Sequence, residues 1–361
     1  MPRELIAVAA RTPLIREYAD EPLGPDEIRV RTEFGAPKHG TELHMYRGDS
    51  PFGDSHWDAE QRIFLAGPSP QAGFPRPLGN IAAGTVVEVG EGVKGVRVGD
   101  RVAGYGPLRE TQRWAWGTPG AYPGVRLMPD GMPWQAAVCL DPATVALGGI
   151  RDGQARVGDR VAVFGLGAIG LLAVQLAKLA GAAFVVGVDP IAGRRDVGLT
   201  PRPSPSEMAR EVTGADLVLD PTEVDAGLEI RRATDGQGVD VAIETSGSPR
   251  ALHQAVRGLA FGGTVAITAW YNEFRGGLDL GREAHLNRPS FVFTRAESEP
   301  HRDHPRWNNR RLADAAWELL AAGRLAGERI VQPIVPFDQA AEAYREIDEH
   351  PERSVKLGVK F

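Results

Sequence analysis

The sequence predicts an α/β plus β protein of two domains: a β-rich domain contributed by both ends of the chain and, inserted between them, a doubly wound parallel-sheet domain. Three observations predict it. At 361 residues the chain exceeds the usual span of one hydrophobic core. Its first third is rich in Gly and Pro and carries short runs that alternate apolar with polar residues. From Val157 the apolar runs lose their alternation and are separated by helical stretches, as in strands covered by helices on both faces.

Taken in order, Glu27 to Arg31 (EIRVR), Gly84 to Val89 (GTVVEV) and Asp100 to Ala103 (DRVA) read as strands of an antiparallel barrel or sandwich. The polar stretch from Gly48 to Pro77, with Trp57 in it, is too long for an ordinary connection and reads as a substrate-side loop or a mobile lid. Strand, glycine turn, helix and strand follow as RVAVFG, AIGLLAVQLAKLAGA and FVVGVD, with further strands at Leu217 to Asp220, VDVAIETSG and GGTVAITAW. Beyond about residue 295 come helices over Arg311 to Ala322 and Asp338 to Asp348 and a closing strand VKLGVKF, which returns to the first domain. The expected limits are therefore 1–155, 156–295 and 296–361.

Composition narrows the partners. The net charge of -6 is interspersed along the chain, so there is neither a basic face for nucleic acid nor a polybasic membrane anchor. The N-terminal stretch lacks a signal-peptide apolar region, and no segment approaches the roughly 18 apolar residues of a membrane span. The single cysteine, Cys139, excludes an internal disulfide and a Cys-rich zinc site, reads as a small buried apolar residue, and fits a reducing cytoplasm. A small-molecule partner remains.

Gly165, Gly167 and Gly170 form GxGxxG directly after a strand and at the start of a helix. In that setting the first glycine makes a tight turn, the second admits a pyrophosphate and the third allows close packing of helix on strand. The helix N-terminus offers the N–H groups of Ala168 and Ile169 to the phosphates. Asp189 ends the next strand about twenty residues on, where a carboxylate accepts from the adenosine ribose and repels a 2'-phosphate. This Rossmann pattern favours NAD over NADP, although Arg194 and Arg195 lie close enough in sequence to reach a phosphate. Thr245, in the turn Glu244-Thr245-Ser246-Gly247, stands where such sheets lay backbone against the cofactor.

Several stretches resemble the medium-chain dehydrogenase/reductase superfamily: GTELHMYRG, PLGNIAAGTVVEVGEGV with VGDRVAGYG, DPATVALGGI, VGDRVAVFGLGAIGLLAVQLAKLAGA and PFDQAAEAYREIDEHPERSVKLGVKF. The resemblance implies a GroES-like catalytic domain formed by both chain ends, an inserted Rossmann domain, an active site in the cleft, and a dimer or tetramer. A homodimer paired through GGTVAITAW and PSFVFTRA is expected. Zinc-dependent members carry a cysteine before a GT(D/E) triplet, a His-Glu pair after PLG, and a Cys, Asp or Glu before PxxVAL. Here those places hold His39, then Asn80 and Ile81, then Asp141, and the four-cysteine structural zinc lobe is absent.

Two readings of the site follow. In the metal-free one, Lys38 or His39 takes the hydroxyl proton, Thr41 relays it, Asn80 donates a hydrogen bond to the substrate oxygen and Asp141 orients a base or hydroxyl. In the other, His39 and Asp141 retain a metal with help from Glu42 or His44. His301 and His304 have metal-like spacing but read as polar loop residues. Trp114, Trp116, Tyr122 and Arg109 form either a substrate wall or ordinary packing. The expected activity is NAD-dependent interconversion of a secondary alcohol and a ketone on a sugar, polyol or cyclitol-like compound, without catalytic zinc. The rivals are a zinc-free NAD(P)H-dependent enone or quinone reductase and a catalytically silent nucleotide-binding protein.

Overall fold

A computed structural model describes residues 1–50, 52–67, 69, 73–117, 124–199, 214–270, 276–295, 299 and 301–361. Tyr122 and the expected boundary residue Ala296 lie outside them. The chain divides into two units, Met1–Val138 with Val331–Phe361, and Cys139–Ile330.

The first unit contains β1 (Arg3–Ala9), β2 (Thr12–Glu17), β3 (Glu27–Ala36), α1 (His39–Arg47), β4 (Ser55–Asp58), β5 (Ile63–Ala66), β6 (Arg76–Pro77), β7 (Ile81–Val89), β8 (Arg101–Tyr105), β9 (Thr111–Ala115), β10 (Arg126–Leu127) and α2 (Trp134–Ala137). Alternation in β3 turns Ile28, Val30, Thr32 and Phe34 inward, and its strand pairs antiparallel with β7 and β9. Ile28, Val30, Ala82, Val86, Val102 and Trp114 make one core cluster of the resulting sheet. The Gly48–Pro77 stretch is not structureless: β4 and β5 form an antiparallel hairpin, whose turn is held by Asp58 Oδ1 accepting the Gln61 N–H at 2.7 Å.

The second unit contains α3 (Leu140–Asp152), β11 (Arg160–Phe164), α4 (Ala168–Leu179), β12 (Phe184–Val188), α5 (Ala192–Gly198), β13 (Leu217–Leu219), α6 (Ala226–Ala233), β14 (Val239–Glu244), α7 (Pro249–Gly258), β15 (Leu259–Ile267), α8 (Glu283–Asn287), β16 (Ser290–Phe293) and α9 (Asn309–Ala321). Its six strands are parallel in the order β13-β12-β11-β14-β15-β16. The order reverses between β11 and β14, the switch point at which such sheets open a ligand crevice beyond their carboxyl ends. Phe164, Val186, Val188, Ile230, Leu252 and Val256 are buried between sheet and helices. Helix starts are locally encoded: Asp225, Ser248 and Asn308 each accept an N–H of the first turn of α6, α7 and α9, and Pro249 occupies the first turn of α7.

The unit limits, 138/139 and 330/331, differ from 155/156 and 295/296 because α3 packs on α4 and α9, drawing both flanking helices into the parallel-sheet unit. The chain then returns to the first unit as β17 (Val331–Pro336), α10 (Ala340–Glu349) and β18 (Lys356–Lys360). β18 joins β3 antiparallel and β17 parallel, so the expected all-antiparallel sheet carries one parallel pair. Tyr46 and Tyr344 meet edge to face at 5.0 Å in the core where α1 faces α10.

Candidate active site

The predicted residues fall into two corners, one in each unit. In the second unit β11 ends at Phe164 and turns through Gly165 at φ +90, where a β-carbon would lie 2.9 Å from the backbone of Ser246. A β-carbon on Gly170 would lie 1.7 Å from the Gly165 carbonyl oxygen, so the third glycine is required for helix-on-strand packing. Gly167, the N-cap of α4, has nothing within 4 Å of an added β-carbon and no side-chain cap. The first-turn N–H groups, those of Ala168 and Ile169 among them, thus face a cradle that a pyrophosphate fits.

Asp189 is buried, and its carboxylate is already at work: Oδ2 accepts the Leu166 N–H at 2.7 Å and Oδ1 the Ile191 N–H at 2.8 Å. It therefore braces the glycine turn, and each oxygen keeps one lone pair for a further donor. Arg194 Nη1 stands 3.8 Å from Oδ2, while Arg195 Nη1 donates to the Asp189 carbonyl and pairs with Asp220, both at 2.8 Å. Thr245 is turned inward, its hydroxyl donating to the Gly165 carbonyl at 2.8 Å, which staples β14 to β11. Sequence reasoning missed Glu244, fully buried beside it, which accepts the N–H groups of Ser246 at 2.8 Å and Gly247 at 3.3 Å. A charged residue closing the apolar run Val241–Ile243 was the available signal.

In the first unit Glu42 is the organising group. Its Oε2 accepts the Lys38 N–H at 2.7 Å, and its Oε1 accepts the Gly79 N–H and, at 2.5 Å, the Tyr344 hydroxyl. One carboxylate thus joins the start of α1, carrying Lys38, His39 and Thr41, to the turn before Asn80. Lys356 is 3% exposed, donates from Nζ to the Pro37 carbonyl at 2.9 Å and brings its charge to bear on Glu42. The amide Nδ2 of Asn80 is shut off from solvent with no hydrogen-bond acceptor. His39 Nε2 accepts the Leu357 N–H of β18 at 3.0 Å, which leaves the ring proton on Nδ1. Asp141 belongs to the other unit, buried in the first turn of α3.

Burial pushes the Glu42 carboxyl above its usual 4.5, and burial together with Glu42 pushes the Tyr344 phenol well above 10.0. A carboxyl whose folded pKa is raised holds its proton longer folded than unfolded. Its stabilisation is therefore complete below about 4.5 and lost as pH rises through the folded value. Glu42→Gln is expected to flatten that part of the stability profile, measured by urea unfolding from pH 4 upwards. An unaltered slope would contradict this assignment.

The remaining expectations resolve into packing. Trp114 and Trp116 donate their indole N–H groups to the carbonyls of Tyr105 and Lys94, both at 2.8 Å, and join the sheet core. Arg109 donates to Gln112 at 3.2 Å. His301 bonds Asn309 at 2.8 Å, and the guanidinium groups of Arg151 and Arg311 stand 3.5 Å and 4.4 Å from the centre of the Trp307 ring. Cys139 is fully buried.

Residues 24–137 match the family described as Alcohol dehydrogenase GroES-like domain, and residues 168–296 match Zinc-binding dehydrogenase. D-guloside 3-dehydrogenase of Escherichia coli K12 is 45% identical over 99% of this chain and 100% of its own. (R,R)-butanediol dehydrogenase of Bacillus subtilis is 30% identical over 75% of this chain and 76% of its own. The chain belongs to the zinc-type medium-chain dehydrogenase superfamily. It is an oxidoreductase of alcohol groups in a GroES-like plus Rossmann fold. The solved structure of galactitol-1-phosphate dehydrogenase from Escherichia coli shares that fold, with a TM-score of 0.74 at 19% identity over 99% of this chain and 100% of the other.

Membership implies a catalytic zinc, and the residues at the ligand places do not fit one. The ion takes lone pairs from three protein groups. The His39 ring has none to spare, since Nε2 already accepts a backbone N–H and Nδ1 carries the proton. Asn80 offers an amide where this superfamily's zinc enzymes carry an imidazole. Glu42 already serves three donors, which fills Oε1 and leaves a single lone pair on Oε2, and His44 Nδ1 bonds Asp49 at 2.8 Å. Among the described residues no three His, Cys, Asp or Glu side chains converge.

Proposed function

We infer that this dehydrogenase interconverts a secondary alcohol and a ketone on a sugar, polyol or cyclitol-like compound, using NAD and no zinc. A ring hydroxyl of a glycoside is the form that the 45% identity to D-guloside 3-dehydrogenase favours. The observation that carries the chemistry is the Asn80 amide, a buried donor with no acceptor. Such a group costs about 1–3 kcal/mol when left unpaired, and it persists where a ligand supplies the partner.

Bound NAD supplies the hydride acceptor. In the second unit the glycine turn and the start of α4 hold its pyrophosphate, and the spare lone pairs of Asp189 accept hydrogen bonds from the ribose hydroxyls while its charge repels a 2'-phosphate. In the first unit Asn80 Nδ2 donates to the substrate oxygen, where negative charge develops as the hydride leaves. With the His39 ring engaged by β18, the base is the Lys38 side chain in its uncharged amine form, which receives the hydroxyl proton by way of the Thr41 hydroxyl and becomes the ammonium. Glu42 holds Lys38 and the Asn80 turn in register.

The test is turnover by chelator-treated protein on a panel of polyols, free sugars and methyl glycosides, with NAD and NADP in parallel and the metal content measured. NAD-linked turnover that survives chelation, at least tenfold better than with NADP, is expected. One zinc per chain with activity lost on chelation, turnover confined to NADPH and enones or quinones, or NAD binding without any turnover would each overturn the reading.

A homodimer completes it. β16 is an edge strand of the parallel sheet, its Phe291 and Phe293 are exposed by 37% and 72%, and Leu286 beside it by 72%. An unpaired apolar edge is covered by an identical edge across a two-fold axis. Light scattering is expected to give twice the 38.8 kDa chain mass, and a monomer at micromolar concentration would refute the pairing. The single cysteine fits a reducing compartment, and no described helix is long and apolar enough to cross a membrane.

A further inference from the structure

A pocket of about 140 Å³ lies at the far end of α1 from His39, between Met45, Gly48, Phe52, Phe74 and Arg76. An apolar cavity of roughly 150 Å³ admits a benzene ring, so this one has room for a single aryl group. From its rim the rings of Phe52, Phe64 and Trp57 continue as a ladder, each 5.4 Å from the next, along the β4–β5 hairpin to the surface. Trp57 and Phe64 are each 47% exposed there.

Arg76 is the polar element. Its guanidinium is half-buried and donates from Nη2 to the Met45 sulfur at 2.9 Å, and among the described residues no carboxylate pairs with it. A thioether is a weak acceptor for a charged donor that pairs best with a carboxylate. Thr41 and Met45 share one face of α1, and the helical rise separates them by roughly 6 Å, about the width of one pyranose ring. A sugar ring held at Thr41 would span the distance to Met45, which lines the pocket.

On these grounds we propose that the Met45–Phe52–Phe74–Arg76 pocket is a subsite for the C1 substituent of a glycoside, selecting an aromatic or apolar aglycone that carries an acidic group. The assignment rests on the glycoside form of the function given above. Phe52, Phe74 and Met45 take the apolar face of the aglycone, the Phe64–Trp57 edge shields it from water, and Arg76 pairs with its carboxylate. Free sugars and polyols leave the pocket empty.

The experiment compares methyl, phenyl and 4-carboxyphenyl D-gulosides as substrates of the NAD-loaded enzyme. Expected kcat/KM rises about tenfold from methyl to phenyl and about tenfold again to 4-carboxyphenyl. Phe52→Ala, with Phe52→Leu as the conservative partner, collapses the phenyl-to-methyl ratio, and Arg76→Gln collapses the carboxyphenyl-to-phenyl ratio. Equal values for the three glycosides, or ratios that survive both substitutions, overturn the subsite. Saturation-transfer NMR of the 4-carboxyphenyl glycoside separates the two claims. Saturation of its aryl protons that is lost in both variants, with no glycoside turned over, keeps the pocket and rejects the reaction. Turnover of the methyl glycoside with no aryl saturation does the reverse.

Discussion

Asn80→Leu is expected to lower kcat roughly a hundred- to a thousandfold, the loss that follows removal of one hydrogen-bond donor at a developing oxyanion. The effect belongs in kcat because the donor meets full negative charge only in the transition state, so KM moves little. Stability should respond in the opposite sense. In the free protein the Asn80 amide nitrogen is buried without an acceptor, and an apolar side chain of similar volume removes that penalty. The variant is therefore expected to match or exceed the parent in thermal unfolding while being nearly inactive. A kcat within threefold of the parent removes Asn80 from the chemistry, and a large fall in melting temperature makes its role structural.

Gly170→Ala is expected to cost the second unit about 3 kcal/mol and to weaken NAD binding more than tenfold. A β-carbon there lies 1.7 Å from the Gly165 carbonyl oxygen and 3.0 Å from Thr245 Oγ1, and the first of these is backbone that has no room to retreat. Overpacking of this kind typically costs about 1–3 kcal/mol, and a main-chain clash sits at the upper end. Gly167→Ala separates sterics from ligand binding. Its φ of -72 suits alanine and its surroundings are open, so stability should hold or rise by about 0.5 kcal/mol while dinucleotide affinity falls. Calorimetric titration with NAD alongside urea unfolding reads both. Equal behaviour of the two variants would show that Gly170 is not the packing glycine.

These glycines were legible in the sequence because their chemistry is local: a turn, a cradle and a close approach within six residues. The parallel sheet was legible for the same reason, since each strand and helix is announced by its own periodicity. Glu42 was visible as an acidic neighbour of the reaction centre and a candidate metal ligand, not as the group that organises the corner. Its role depends on Tyr344, 302 residues away, and Lys356 reaches Pro37 across 319 residues, separations over which spacing carries no information. The closing strand VKLGVKF did contain a clue, two lysines in an otherwise apolar run, but burial of Lys356 and exposure of Lys360 follow from packing that periodicity does not reveal. His39 shows the converse. Its position suggested a proton acceptor, and the strand that occupies its lone pair lies at the other end of the chain.

That same distance orders the molecule's assembly in time. The parallel-sheet unit is one continuous segment, and all of its strands have been synthesised before Val331 is added. Lys38 and His39 are synthesised early yet wait for Lys356 and Leu357 before their surroundings close. A growing chain thus acquires the capacity to hold its coenzyme well before it acquires the corner that handles protons. Under the proposed function, the nascent protein passes through a stage in which its coenzyme site is built and its proton-handling corner is still incomplete.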